Sequence, residues 1–518
     1  MHRSRVLTAI AACLLVLVAG CSSGGQPQSP VRGGNLVFDF ATAPLDLDPS
    51  TSGDNATSMQ MWNAWFEYLV QPNSKGPGYA PMLAASYSIS ADQLVYTFRM
   101  RPGVQFSDGR RLTASDVVFS LKRNIRPSIS LLNFLNGYIA AITAPSPNTV
   151  QITLRRPWPN LLADLASPTA AIYPQHTFSD KTADSFFTQH PIGTGPFVLV
   201  SQVPNTTYVV ARNPHYWDKA RAPRLAKITF QIVTDDTARA TAVLGGQADV
   251  ALSPPANQVP SLGRNPSVRV NMITSSIVEI ICLNLARAPF SQQQVRQAVS
   301  LALNRPAIIR SGLFGYAVPA TAFLVGPAQD TFQNTSLNLY PHNLTRAKQL
   351  MRQSGIRTPV TVPFEVSTGQ AQDAILTVAQ ANLAQIGIRL TPVRKDSASV
   401  DNDIIGEKYT MATTFWGNIS SDPSVQPLFA IDPAYCCNAY FTGLRDPSLV
   451  SLTRRAVTAS QRSQAQRLYD QVQTQFAAQA SVIPLYYPKL IHVLSRRVTG
   501  FNVNAYGFYD WAKMALSG

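Results

Sequence analysis

Residues 79–123 constrain the fold more than any other stretch of this chain. Leu94, Tyr96, Phe98 and Met100 alternate with Val95, Thr97, Arg99 and Arg101. A period of two marks a strand buried on one face. Pro102-Gly103 turns the chain, Val104 and Phe106 continue a short second run, and Ser107-Asp108-Gly109 stops it. Thr113, with Asp116 three residues on, reads as an N-cap and its reciprocal partner. Ala114, Val117, Val118, Leu121 and Ile125 fall on one face of the helix so begun. The periodicity alone gives a β-turn-β-α unit.

The alternation of strand and helix returns along the chain. Asn35 to Phe40 reads as a first strand, and Met59, Trp62, Ala64, Phe66 and Leu69 as a helix after it. Residues 277–285 are nearly continuously apolar, the pattern of a buried strand. Ser291 and Gln294 read as a second capping box, ahead of a helical face of Val295, Ala298, Val299 and Ala302. Helices carrying Leu350 and Met351, and Ile375, Ala379 and Leu383, stop at Gly355 and Gly387. This βα alternation predicts a second α/β domain over 286–484, with a strand-rich return at Val482 to Leu494.

Two arginines, an apolar run from Val6 to Val18 and small residues before Cys21 form a secretory signal over 1–20, too short to span a membrane. The cysteine at the cleavage point resembles a bacterial lipobox, which implies that Cys21 carries lipid and heads a tether at 21–33. Without residues 1–20, 498 of 518 residues remain, room for several cores. The formal charge of +15 falls to +13 as Arg3 and Arg5 leave. Export argues against nucleic acid as the partner of this basic chain, and attraction to anionic lipid headgroups or simple solubility is the more economical account. Export also permits disulfides among Cys282, Cys436 and Cys437. Adjacent cysteines close a strained ring, so Cys282 with one of the other two is the expected pair.

Catalytic patterns are missing. There is no Gly-x-Ser-x-Gly, Ser-x-x-Lys or His-Glu-x-x-His, and the six histidines are scattered. No catalytic residue, metal site or cofactor is assigned. Gly193-Thr194-Gly195-Pro196-Phe197 lacks the third glycine and following helix of a phosphate loop, and Pro196 removes a donor. His215 beside Tyr216 and Trp217 reads as a packed surface aromatic cluster.

The literal strings say more. Leu83-Ala84-x-Ser86-Tyr87, Tyr96-Thr97-Phe98-x-x-Arg101, Gly103-Val104-x-Phe106-Ser107-Asp108-Gly109 and Leu112-Thr113-Ala114-x-Asp116-Val117 resemble the signature of the family 5 extracellular solute-binding proteins. Those are the dipeptide- and oligopeptide-binding components of ABC importers. Residues 193–197, 212–217, 244–250 and 498–501 also resemble family landmarks. The resemblance implies an α/β, two-lobed periplasmic-binding-protein-like fold of type II, in its large three-domain subclass, closing over a hinge cleft. One lobe would comprise 34–58, 192–285 and 485–518, with 59–191 inserted, and the other 286–484. It implies a monomeric lipoprotein without enzyme activity on the outer face of the bacterial cytoplasmic membrane. Its partners would be a peptide ligand and the permease and ATPase subunits of an importer.

Two stretches match the family's ligand contacts. Its Thr-Ser-Gly loop falls on Thr51, Ser52 and Gly53, with Asp54 and Asn55 next. Its Trp-x-x-Asp-x-x-Asp/Glu-Pro falls on Trp416, Gly417, Asn418, Ile419, Ser420 and Asp422-Pro423. The resemblance implies that Trp416 lines the cleft and that the backbone there pairs with an extended ligand. The first aspartate, which holds the peptide's ammonium in relatives, is Ile419 here. An enclosed ammonium without counter-charge costs several kcal/mol. Residues 363–372 also lack the arginine with which dipeptide-specific relatives grip the ligand's carboxylate. Longer peptides read through their backbone are therefore expected, with Asp54 first and Asp422 second as replacement for the missing aspartate. Haem or another non-peptide small molecule on the same scaffold stays open, as does an envelope interaction or sensor role without transport.

Overall fold

The computed structural model describes residues 30–517 apart from 32, 51–54, 74–77, 127–131, 179–185, 328–331, 418–421 and 436–442. Among the described residues, twelve strands form one sheet running through both halves of the molecule. No described helix is long and apolar enough to cross a membrane.

β1 (Asn35–Phe40) buries Leu36, Phe38 and Phe40 on one face. Phe38 meets Tyr509 and Trp511 edge-on, with ring centres 5.0 and 5.2 Å away, as aromatic quadrupoles favour. α1 (Ala56–Trp62) is shorter than its apolar spacing predicts, because Ala64 to Phe66 leave the helix. A close backbone approach takes them away. Gly195 N–H donates to the Trp65 carbonyl at 3.0 Å and Phe197 N–H to that of Ala64 at 2.8 Å. A Cβ on Gly193 would lie 1.9 Å from the Trp65 oxygen. The Gly-Thr-Gly-Pro-Phe run is a backbone-packing device.

An antiparallel four-stranded sheet follows, containing β2 (Val95–Met100) between residues 84–89 and β3 (Thr149–Leu154). Tyr96, Phe98 and Met100 are buried and Arg99 is exposed, so the alternation sorts the faces as expected. α2 (Ala114–Asn124) starts on the expected capping box. Asp116 N–H donates to Thr113 Oγ1 at 3.3 Å, and Thr113 N–H to Asp116 Oδ2 at 2.9 Å. The helix buries Ala114, Val117 and Leu121 and also Arg123, whose guanidinium reaches Asp48. α3 (Leu161–Leu165) is buried throughout.

β4 (Val268–Thr274) and β5 (Ile277–Leu283) carry the chain out of the first half. α4 (Gln293–Ala302) begins without a side-chain cap, so the expected box of Ser291 and Gln294 does not form. Phe290 and Ser291 instead close a turn on the Arg287 carbonyl. Their own carbonyls are taken by Arg296 at 2.9 and 3.3 Å. β6 (Val360–Ser367), α5 (Gln370–Ala384) and β7 (Ile388–Lys395) make a parallel β-α-β unit with Ile375, Ala379 and Leu383 buried. β8 (Met411–Gly417) runs antiparallel to β5, and α6 (Val425–Ile431) and α7 (Pro447–Thr458) follow it.

β9 (Val482–Ser495) returns across the molecule. Val482 to Tyr486 pair with β5, and Lys489 to Ser495 pair with β4. Two antiparallel strands thus pass side by side between the halves, at Ser275-Ser276 and Tyr487-Pro488. Cys282 lies on β5 opposite Ala412 and Val482, fully buried, with a free thiol. The expected bridge from Cys282 is therefore not made; burial among strands makes this residue a small core hydrophobe and pushes its thiol pKa up. Cys436 and Cys437 lie outside the described residues.

Candidate ligand-binding site

The register of β8 on β5 decides where its last residues point. Opposite residues of an antiparallel pair share a face, so Trp416 sides with Val278 and Phe415 with Glu279. The half-buried Trp416 ring meets Phe429 of α6 at 5.3 Å. From there rings follow one another through Tyr435, Phe134, Trp158 and Tyr138, with centres 5.2, 5.5, 5.6 and 4.2 Å apart. This aromatic line joins β8 to the inserted four-stranded unit. On the other face Phe415 is 50% exposed. Beside it Glu279 accepts from Thr413 Oγ1 at 3.2 Å and Gln372 Nε2 at 3.5 Å. Burial raises the Glu279 carboxyl to about 7.

β8 has one open side. It pairs with β6 only at Phe364↔Met411 and Glu365↔Ala412. From Thr413 to Gly417 no strand among the described residues lies on that side. A sheet edge of this kind offers N–H and C=O groups to any extended chain.

Asp422 follows this edge and is buried. Its Oδ1 accepts from Ser424 N–H at 2.7 Å and Ser424 Oγ at 2.6 Å, a turn leading into α6. It also meets Asp164 of α3, carboxyl to carboxyl. Trp158 Nε1 donates to Asp164 Oδ2 at 2.7 Å. Burial raises Asp422 to about 6, and burial with the neighbouring charge of Asp422 raises Asp164 well above the carboxylate range. Two buried acids bonded to each other need a proton between them.

Thr51, Ser52, Gly53, Asp54, Asn418, Ile419 and Ser420 lie outside the described residues, as does Cys21. Asn55 acts locally, its Oδ1 accepting from Ser58 N–H at 2.8 Å to cap α1. Gly417 ends β8, where a Cβ would make an ordinary 3.4 Å contact with Ile277. Trp416, Gly417 and Asp422 therefore share one neighbourhood, and Asn55 serves α1.

Three acids escaped the sequence reading. Asp164 and Glu279 stand alone in apolar runs and carry no motif. Glu67 is buried and accepts from Thr194 Oγ1, Tyr216 Oη and Trp217 Nε1 at 3.0, 3.1 and 2.6 Å. Burial raises it to about 7 in spite of those donors. Tyr216 is thus no surface residue: it and Trp217 clamp a buried carboxyl.

Comparison with known proteins agrees with this architecture. The profile of the family described as "Bacterial extracellular solute-binding proteins, family 5 Middle" matches residues 78–430. A glutathione-binding protein of Pectobacterium atrosepticum is 29% identical over 501 residues, spanning 94% of this chain and 95% of its own. The periplasmic binding protein DppA of Helicobacter pylori, solved with the peptide STSA, superposes with a TM-score of 0.80 at 23% identity, over 94% of this chain and 99% of its own. The oligopeptide-binding protein AppA of Bacillus subtilis, solved with a nonapeptide, gives 0.81 at 20% identity, over 95% and 100%. At such identities the two structures speak for the fold: two α/β lobes of the type II periplasmic-binding class.

Proposed function

The chain belongs to the family 5 bacterial extracellular solute-binding proteins, and on that premise we propose that it captures oligopeptides outside the cytoplasmic membrane and delivers them to an ABC permease. Proteins of this family bind solutes for ABC importers and are not enzymes. The open edge of β8 from Thr413 to Gly417 carries the peptide reading. An extended backbone can pair there whatever its side chains, with Trp416 as an apolar wall. The glutathione, STSA and nonapeptide of the related proteins are all peptides and support the same class.

On this reading one lobe comprises 34–58, 192–285 and 485–518 with 59–191 inserted, and the other 286–484. They close by hinge motion at the two side-by-side crossings. The Thr51–Asn55 loop meets the ligand from the lobe opposite β8, and Ile419 adds apolar surface. Lipid on Cys21 holds the monomer at the outer face of the membrane, beside its permease and ATPase.

Native mass spectrometry of the purified chain, followed by thermal unfolding with a peptide library, tests the reading. A peptide at a hundredfold excess over Kd stabilises by roughly 2.7 kcal/mol. A shift with haem or a metal chelate and none with peptides would assign the scaffold to a non-peptide ligand. No ligand of either class would favour an envelope interaction role.

A further inference from the structure

A second cleft opens where the inserted unit faces α7. Its volume is about 920 Å³, and arginines stand on both walls. Arg156, just after β3, stacks over the Tyr138 ring at 4.3 Å. Arg445, Arg454 and Arg455 line the other side. Arg454 is engaged with Asp432 through bonds of 2.6 and 2.8 Å. The guanidinium groups of Arg445 and Arg455 have no hydrogen bond or ion pair among the described residues. Asp446 Oδ1 accepts from Ser448 and Leu449 N–H at the start of α7. Four arginines against Asp432 and Asp446 leave the cleft with a net charge of +2.

We infer that this cleft binds a multiply charged oxyanion, phosphate- or carboxylate-bearing, at a site apart from the peptide edge. A guanidinium presents a planar fork of donors that fits such groups two at a time. Concave walls focus the field of like charges on a bound counter-charge. Because Arg156 comes from one lobe and the other arginines from the second, an anion seated between them favours the closed form.

Calorimetric titration of the full chain with pyrophosphate and with citrate, at fixed ionic strength, tests this. Saturable binding is expected, weakened at least tenfold in Arg445→Ala/Arg455→Ala and again in Arg156→Ala, with Arg352→Ala on a distant helix as control. Co-sedimentation with phosphatidylglycerol rather than phosphatidylcholine vesicles, lost in the same variants and without pyrophosphate or citrate binding, would assign the anion to a lipid headgroup. These arginines are exposed, so the variants should keep the wild-type melting temperature. Equal binding by wild type and the double variant in both assays, or none in either, would overturn the inference.

Discussion

Arg123 and Asp48, both buried, are joined by two hydrogen bonds, Nη1 to Oδ1 at 2.9 Å and Nη2 to Oδ2 at 2.6 Å. Asp48 Oδ1 also accepts from Ser50 N–H at 2.9 Å, and the guanidinium lies 4.7 Å from the Phe178 ring centre. Through Arg123, α2 thereby holds residues 48–50, which in sequence immediately precede the Thr51–Asn55 stretch.

Breaking this pair from one side leaves a buried charge alone. Arg123→Met should cost roughly 3–5 kcal/mol in urea unfolding, the range for such a loss. Arg123→Met/Asp48→Asn should recover much of it, because the stranded charge goes too. Arg123→Lys keeps the charge but not the fork, and should fall between. A single substitution costing under 1 kcal/mol would show that the pair does not anchor residues 48–50.

Gly193 separates close approach from backbone freedom. In Gly193→Ala the new Cβ meets the Trp65 oxygen at 1.9 Å and Phe66 Cδ1 at 2.7 Å, and backbone on both sides must move. The expected cost is about 3 kcal/mol or more. Gly246 has φ +72 and open space, so Gly246→Ala should cost only about 1–2 kcal/mol, the left-handed penalty. Similar losses of melting temperature in the two variants would mean that the 193–197 segment yields easily.

What was legible in the sequence follows from distance along the chain. The Thr113–Asp116 box could be read because both partners lie within one turn. The Ser291 and Gln294 pair has the same local pattern, yet Arg296 and the Arg287 carbonyl win the competition for its backbone. Gly193 is a glycine because of Trp65, far away in sequence, so its reason was invisible. The odd cysteine count could not say that Cys282 faces the core. Trp416 is proposed for the site through resemblance alone, whereas Asp164 had no signal until the fold set it against Asp422.

The pairing of those two acids makes stability depend on pH. Raised carboxyl pKa values mean that the folded chain binds more protons than the unfolded one. The stabilisation is full below the ordinary value of 3.8 and is lost as pH rises through about 6 for Asp422 and through the raised value of Asp164. Arg156, Arg454 and Asp432 lie around Tyr138 in the same region, with the phenols of Tyr435 and Tyr469. Glu67 and Glu279 act in the same direction up to about 7. Neutral, buried His492, lowered to about 3, opposes them below pH 6.5. Subtracting the melting curve of Asp164→Asn from that of the wild type cancels these other groups. The difference should favour the variant increasingly from pH 5 to pH 8. Parallel profiles would refute the shared proton.

The last prediction concerns the amino terminus of the ligand. The sequence resemblance implies that Ile419 replaces the aspartate that holds the peptide's ammonium in relatives, and Asp422 is already engaged by Ser424 and Asp164. Asp54, six residues after Asp48 in sequence, is the remaining carboxylate proposed to face the ligand. Asp54→Asn should then weaken binding of unmodified peptides by about one to a few kcal/mol, the worth of a charge-assisted hydrogen bond, and hardly affect N-acetylated ones. Backbone N-methylation at a residue paired with Thr413–Gly417 should weaken both kinds alike, since it removes a donor from the added strand. If the wild type binds free and acetylated peptides equally but still rejects the N-methylated ones, no carboxylate reads the ammonium. Recognition would then rest on the open edge of β8, with Trp416 and Ile419 as its apolar walls.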